Sequence, residues 1–206
     1  MRPLTLADIE DARAYERGRD AFRREVIAAK RSRRIEIGPI VSVVLENRTT
    51  LRFQVQEMAR AEAMTRDDQI QEELDVYNPL LPDPGEISMT LFVELTSEAQ
   101  LREWLPRLVG IERSVVVRVG PLGGAQEVRC TVDPAHASQL TREEVTASVH
   151  YVRVALPDDL AGRFASERVE LAVDHPSYRH AAVLSDATKE SVLEDWSDTG
   201  SARSAG

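Results

Sequence analysis

The stretch Ile87-Ser88-Met89-Thr90-Leu91-Phe92-Val93 decides the fold. Ile87, Met89, Leu91 and Val93 recur at every second position and run into Glu94-Leu95, the pattern of a strand with one dry face. Upstream, Ile35, Ile37, Val41, Val43 and Leu45 are apolar, with Gly38-Pro39 marking a bulge or strand start. A turn at Glu46-Asn47-Arg48-Thr49-Thr50 then leads into Leu51, Phe53 and Val55, which alternate with Arg52, Gln54 and Gln56. That segment is predicted to be the second strand of a hairpin. Downstream, Val115 to Val119 and Glu127 to Val132 flank the loop Gly120-Pro121-Leu122-Gly123-Gly124. Val145 to Leu156 and Val169 to Val173 read as further strands, and His175-Pro176 opens a loop.

Helical signals surround these strands. Thr5 and Asp8 form a capping-box-like start, Leu6, Ile9 and Arg13 lie at helical spacing, and Phe22, Val26 and Ile27 form a second stripe. Gly18 costs about 1 kcal/mol against alanine in a helix interior, so two helices are predicted near 5–16 and 20–32. A helical pair follows near 57–77, its second member carrying Ile70, Leu74 and Tyr77 and ending at Asn78-Pro79. Ser97 to Leu108, a short segment after Pro157, and a last segment from Ser185 or Asp186 to Trp196 are helical too. The class is therefore α+β: a mostly antiparallel sheet with two N-terminal helices, the pair near 57–77 and a C-terminal helix.

Charge divides the 206 residues unevenly. Residues 1–34 hold ten Arg/Lys against six Asp/Glu, net +4, whereas the overall charge is −9, leaving −13 on the rest. The expected organisation is a basic helical arm over 1–34, packed on or extending from an α+β body over 35–196, and a small, polar, disordered tail over 197–206. No apolar run approaches a membrane span and the opening residues carry no signal-like apolar core, so a cytoplasmic protein is expected. The single Cys130 leaves no intrachain disulfide and no multi-thiolate zinc or all-cysteine cluster site.

Several site types are absent from the sequence. There is no GxGxxG after a strand, no phosphate loop, no GxSxG elbow, and no Glu three residues before any histidine, as a ferritin-like di-iron site would need. No cofactor is predicted. One candidate ligand site remains: Gln56, Glu57, Arg60 and Glu62 with Glu73, Tyr77 and Asn78, which converge if the two helical segments pack antiparallel. Carboxylates meeting an arginine can hold a cation or polar ligand; solvated helix faces with ordinary surface ion pairs are the alternative. His175 and His180 are weak metal candidates beside Asp174, set against a loop in which Tyr178 packs down and both imidazoles stay wet. His150 and Cys130 read as buried core groups.

The basic run includes Arg23, Arg24, Lys30, Arg31, Arg33 and Arg34 as candidate docking residues. The absence of interleaved aromatics and the acidity of the body argue against nucleic acid and for an acidic protein or the body itself.

Read together, Leu4-Thr5-Leu6, Arg24 to Arg31, Glu46-Asn47-Arg48-Thr49, Phe53 to Met58 and Glu73 to Pro82 resemble an uncharacterised bacterial family, domain of unknown function 3501, over residues 4 to about 195. The family brings no catalytic residues. It implies a setting beside rubrerythrin-like and iron–sulfur proteins. The expectation is thus a non-catalytic accessory or interaction protein of a redox or peroxide-defence system, with a rubrerythrin-like or iron–sulfur partner. The alternative is a small-molecule enzyme or ligand-binding protein using the Glu/Arg/Tyr cluster. Enzymatic activity and oligomeric state are open.

Overall fold

The computed structural model describes residues 1–132 and 145–197. A turn of 3-10 helix at Leu6–Asp8 precedes α1 (Ala12–Arg33), β1 (Arg34–Glu36), β2 (Val41–Leu45), α2 (Arg48–Ala61), α3 (Asp67–Tyr77) and β3 (Glu86–Val93). Then come α4 (Glu98–Arg107), β4 (Val115–Val119), β5 (Gln126–Arg129), β6 (Thr131–Val132), β7 (Val149–Ala155), α5 (Asp158–Arg163), β8 (Val169–His175), β9 (Tyr178–Val183) and α6 (Asp186–Ser197). All strand pairs are antiparallel, in two sheets ordered β1-β2-β3-β7-β6 and β5-β4-β8-β9. The α+β class holds. Among the described residues no helix is long and apolar enough to cross a membrane. Apart from Ser197, the expected tail lies outside the described residues.

The deciding strand sits at the centre of its sheet, between β2 and β7. Ile87, Met89, Leu91 and Val93 are 0–4% exposed and share one apolar core with Val115, Val117 and Val119 of β4 and Val169, Leu171 and Val173 of β8. Each such side chain contributes about 1.5–3 kcal/mol by leaving water. The polar face of β3 is covered too: buried Thr90 donates to the buried Glu46 carboxylate at 2.6 Å. A second core, built on Leu4, Leu51, Val55, Leu74, Tyr77, Leu80 and Leu81, joins the N-terminal segment to α2 and α3.

Four local expectations are corrected. First, the two N-terminal helices are one: α1 runs 22 residues straight through Gly18. Tyr15 and Val26 are buried on either side of that glycine and Phe22 is half-buried, so packing outweighs its cost. Second, Leu51, Phe53 and Val55 lie on a helix rather than a strand. Asn47 caps it, its side-chain oxygen accepting from the Thr50 N–H at 3.0 Å. The helix is packed on two sides, Leu51 and Val55 in the second core and Phe53 edge-on against Phe22 at 5.6 Å. Apolar residues on both sides of a helix imitate a period of two. Third, the segment 127–132 splits between the sheets, with Cys130 as the joint, its N–H donating to the Val115 carbonyl at 2.9 Å. Fourth, Pro176-Ser177 is a two-residue turn into β9, an edge strand that the mixed sequence Tyr178 to Val183 does not announce.

The turn between β1 and β2 ties the two sheets together. The Tyr178 hydroxyl on β9 donates to the Ile37 carbonyl at 2.6 Å and accepts from the Ile40 N–H at 3.2 Å. Gly38 lies between them at φ +80°, where a Cβ would stand 2.5 Å from both the Tyr178 hydroxyl and the His180 ring. Gly38→Ala combines a left-handed backbone penalty with displacement of that bridge, so it should destabilise the protein by about 2 kcal/mol or more in chemical denaturation. Gly18→Ala, in open helix surface, should not destabilise it.

Candidate functional site

Apart from one 3-10 turn, the first eleven residues have no regular structure, so their backbone groups need partners elsewhere. Asn78 supplies two: its oxygen accepts from the Leu4 N–H at 2.7 Å and its amide donates to the Leu4 carbonyl at 2.9 Å. Gln56, 2% exposed, does the same for Glu10, with both bonds at 2.9 Å. Arg52 Nε donates to the Asp8 carbonyl at 2.8 Å, and Arg48 forms an ion pair with the Asp8 carboxylate. Gln56 and Asn78, two of the candidate ligand residues, are therefore clamps on the chain itself.

Glu57 is the electrostatic centre of the helical layer. Its Oε1 accepts from the Tyr15 hydroxyl at 2.7 Å and from Arg19 Nε at 2.8 Å, while Oε2 accepts from Arg19 Nη2 at 2.9 Å. Arg60 stands farther off, at 3.4 Å. The Arg19 bonds hold the Glu57 carboxyl at about 2 against partial burial, with Tyr15 and Arg60 assisting. Burial and the Glu57 charge push the Tyr15 hydroxyl well above its ordinary value.

The remaining candidates point elsewhere. Tyr77 accepts from Gln54 at 3.5 Å and packs edge-on against Tyr151 of β7, ring centroids 6.5 Å apart. Burial raises the Glu73 carboxyl, and the charges of Glu62 and Glu72 raise it further. Glu73 thus sits in an acidic neighbourhood and Glu57 in a basic one. The helices bring these candidates together in two pairs, Glu57 with Arg60 and Glu73 near Glu62. A pocket of about 400 Å³ does open beside this cluster, and of the candidates it takes in Gln56 and Arg60. Tyr15 and Arg19 were not singled out as partners of Glu57; their i,i+4 spacing on α1 is the signal that places both on one helix face.

The docking candidates also separate. Arg33 is 2% exposed and donates to Asp195 at 2.6 Å and to the Ser191 carbonyl at 2.7 Å. It fastens α1 to α6 and is not available to a partner, because a guanidinium stripped of water must keep its carboxylate. Arg34 pairs with Glu94 and lies over the Phe92 ring at 5.5 Å. Arg23, Arg24 and Arg31 are exposed and Lys30 is half-buried.

The two histidine candidates are placed differently. His175 is buried, with Nε2 against the Val109 carbonyl at 3.1 Å and Nδ1 accepting from the Ser177 N–H at 3.2 Å. Both ring nitrogens are occupied, so His175 is not the wet side chain expected. His180 is exposed and packs tilted against the Tyr178 ring, centroids 4.5 Å apart. Among the described residues no three His, Cys, Asp or Glu gather as ligands. His150 is buried against Thr146 and the Ala147 carbonyl, and burial holds it toward the neutral form. Burial pushes the Cys130 thiol up to about 12.

Two outcomes follow. Asn78→Ala leaves the Leu4 N–H and carbonyl unmet, so it should cost about 1–3 kcal/mol and speed amide exchange at Leu4. Glu57 and Asp8 both sit at about 2 when folded, against ordinary values of 4.5 and 3.8. For Asp8, burial works the other way but is outweighed by the bonds from Arg48 and Thr5. A carboxyl lowered by folding adds stability above its unfolded value and loses it as pH falls toward the folded one. Stability should therefore decline between about pH 5 and about pH 2, and Glu57→Gln should flatten that decline in denaturant titrations.

Comparison with known proteins gives a family and no activity. The family model described as "Protein of unknown function (DUF3501)" matches residues 3–196. No curated protein matches. A crystal structure of a "novel protein of unknown function" from Burkholderia pseudomallei K96243 is similar at 34% identity, with a TM-score of 0.84, over 94% of this chain and 99% of that one. Since the family model spans nearly all of the described fold, the chain belongs to the DUF3501 family.

Proposed function

We propose that this is an interaction protein whose helix α1 docks an acidic surface of a protein partner. One observation carries the reading. Among the described residues every Arg and Lys outside α1 has an ion-pair partner, whereas six cations of α1 have none: Arg13, Arg17, Arg23, Arg24, Lys30 and Arg31. At 3.6 residues per turn these six fall within an arc of roughly 140°, centred about 120° round the helix from the face that buries Tyr15 and Val26.

The C-terminal half of that arc is the purer one. Glu16 and Asp20 interrupt it earlier, but Arg23, Arg24, Lys30 and Arg31 surround Ile27, a large apolar side chain left 48% exposed. The helix dipole accounts for cations in the last turn only; Arg23 and Arg24 lie two turns before it. An apolar centre ringed by charge is the composition of a protein interface, and the net charge of −13 beyond residue 34 disfavours a nucleic acid polyanion. The redox-system partner implied by the family's setting is the first candidate for the occupant.

A photo-crosslinking residue at Ile27 tests this in cells. The expected product is a covalent adduct to one protein species, lost in the Arg23→Glu/Arg24→Glu/Arg31→Glu variant. Crosslinks to nucleic acid, no adduct, or an adduct unchanged by charge reversal would each overturn the docking reading. An adduct to a protein without redox chemistry would overturn its redox part alone.

A further inference from the structure

The pocket beside Glu57 is a site of another kind, at the opposite end of α1 from the exposed Ile27 and the cations around it. Its walls come from the clamped N-terminal segment, the first turns of α1 and the ends of α2 and α3 that meet at residues 61–67. Leu6, Ile9, Ala12, Ala59, Met64 and Ile70 make most of the lining apolar. Ala63 closes α2 in the left-handed region at φ 51°, a conformation usually left to glycine, and the turn it makes is closed by the Met64 N–H donating to the Ala59 carbonyl at 2.9 Å. At about 400 Å³ the space lies within the ordinary range for small-molecule sites, roughly 300–1,000 Å³.

The charges on this pocket are sorted by what they already hold. Arg66 makes a two-point bond to Asp68, at 2.9 and 3.1 Å. Glu10 pairs with Arg52, and Asp11 caps α1 by accepting from the Arg13 and Ala14 N–H groups. Asp67 occupies the first turn of α3, where free helix amides complement a carboxylate. Two guanidiniums are less fully held. Arg13 has no ion pair among the described residues, and Arg60 reaches Glu57 only at 3.4 Å, after Arg19 and Tyr15 have taken both of its oxygens.

We infer that this pocket binds a small organic anion, a carboxylic acid with an apolar body, its carboxylate held by Arg13 and Arg60 and its body against Ile9, Ala59 and Ile70. The apolar lining recovers free energy by covering the ligand's hydrocarbon, and the guanidiniums select the charged end with paired N–H donors. The site shares Arg13 with the cationic arc of α1 but none of the residues around Ile27, so the Arg13/Arg60 variant and the Arg23/Arg24/Arg31 variant test the two readings separately. Because the clamped segment forms one wall, an occupied pocket also holds Leu6 to Ala12 more firmly.

Fluorescence titration of the full chain with 2-naphthoate tests it, with 2-naphthamide as the neutral isostere. Saturable binding of the acid is expected, with the amide weaker by about tenfold or more and the Arg13→Ala/Arg60→Ala variant weakened by a similar factor. Ala12→Trp, at an exposed lining position, should block the acid while leaving the circular dichroism spectrum intact. No saturable binding up to about 1 mM, equal affinity for acid and amide, or indifference to either variant would overturn the assignment. Slower amide exchange over 6–12 in the presence of naphthoate provides a readout independent of fluorescence.

Discussion

Two side-chain amides carry more of this architecture than their size suggests. The backbone of residues 1–11 has almost no partners of its own, and a buried peptide group left unpaired costs as much as a lost hydrogen bond. Asn78 and Gln56 each offer a donor and an acceptor on one planar group, which matches the N–H and carbonyl of a single extended residue. They convert a loose leader into a fixed strap. With the strap in place Leu4 completes the second core, Asp11 caps α1, and the helix starts at a defined point.

From that start α1 is held along its length by interactions of different kinds. Tyr15 and Arg19 engage Glu57, Phe22 meets Phe53, and Arg33 reaches the C-terminal helix through Asp195. The helix thereby spends its inward face on the body and presents the outward one to solvent. Its unpaired cations are displayed by a rigid platform, so a partner would bind without the cost of ordering the backbone that carries them. The blocks through which the sequence resembles its family coincide with this machinery: Asn47 caps α2, Gln56 and Asn78 clamp the strap, and Glu57 neutralises α1.

The sheet was legible in the sequence because one-sided burial writes a period of two, and Ile87 to Val93 show it cleanly. Helix α2 was not, because it is packed on two sides, and Leu51, Phe53 and Val55 then alternate as a strand would. Gly18 misled for a related reason: local propensity favours a break, but buried contacts on both sides decide otherwise. The edge strand β9 carries too little apolar pattern to announce itself. For the site, residue types were visible but not their pairing. Glu57 finds Arg19 across 38 positions of chain, and no spacing rule predicts a contact of that separation. Arg33 looked like its exposed neighbours, and only the fold puts Asp195 beside it.

The joint at Cys130 has a chemical consequence. It is the only thiol of the chain, it sits where the backbone leaves one sheet for the other, and its proton is held until about pH 12. A thiol must ionise to attack a peroxide or a disulfide. Burial both covers this one and holds it toward the protonated form, so it is a weak nucleophile in the folded protein. That low reactivity comes from the place itself, where the chain crosses between two sheets.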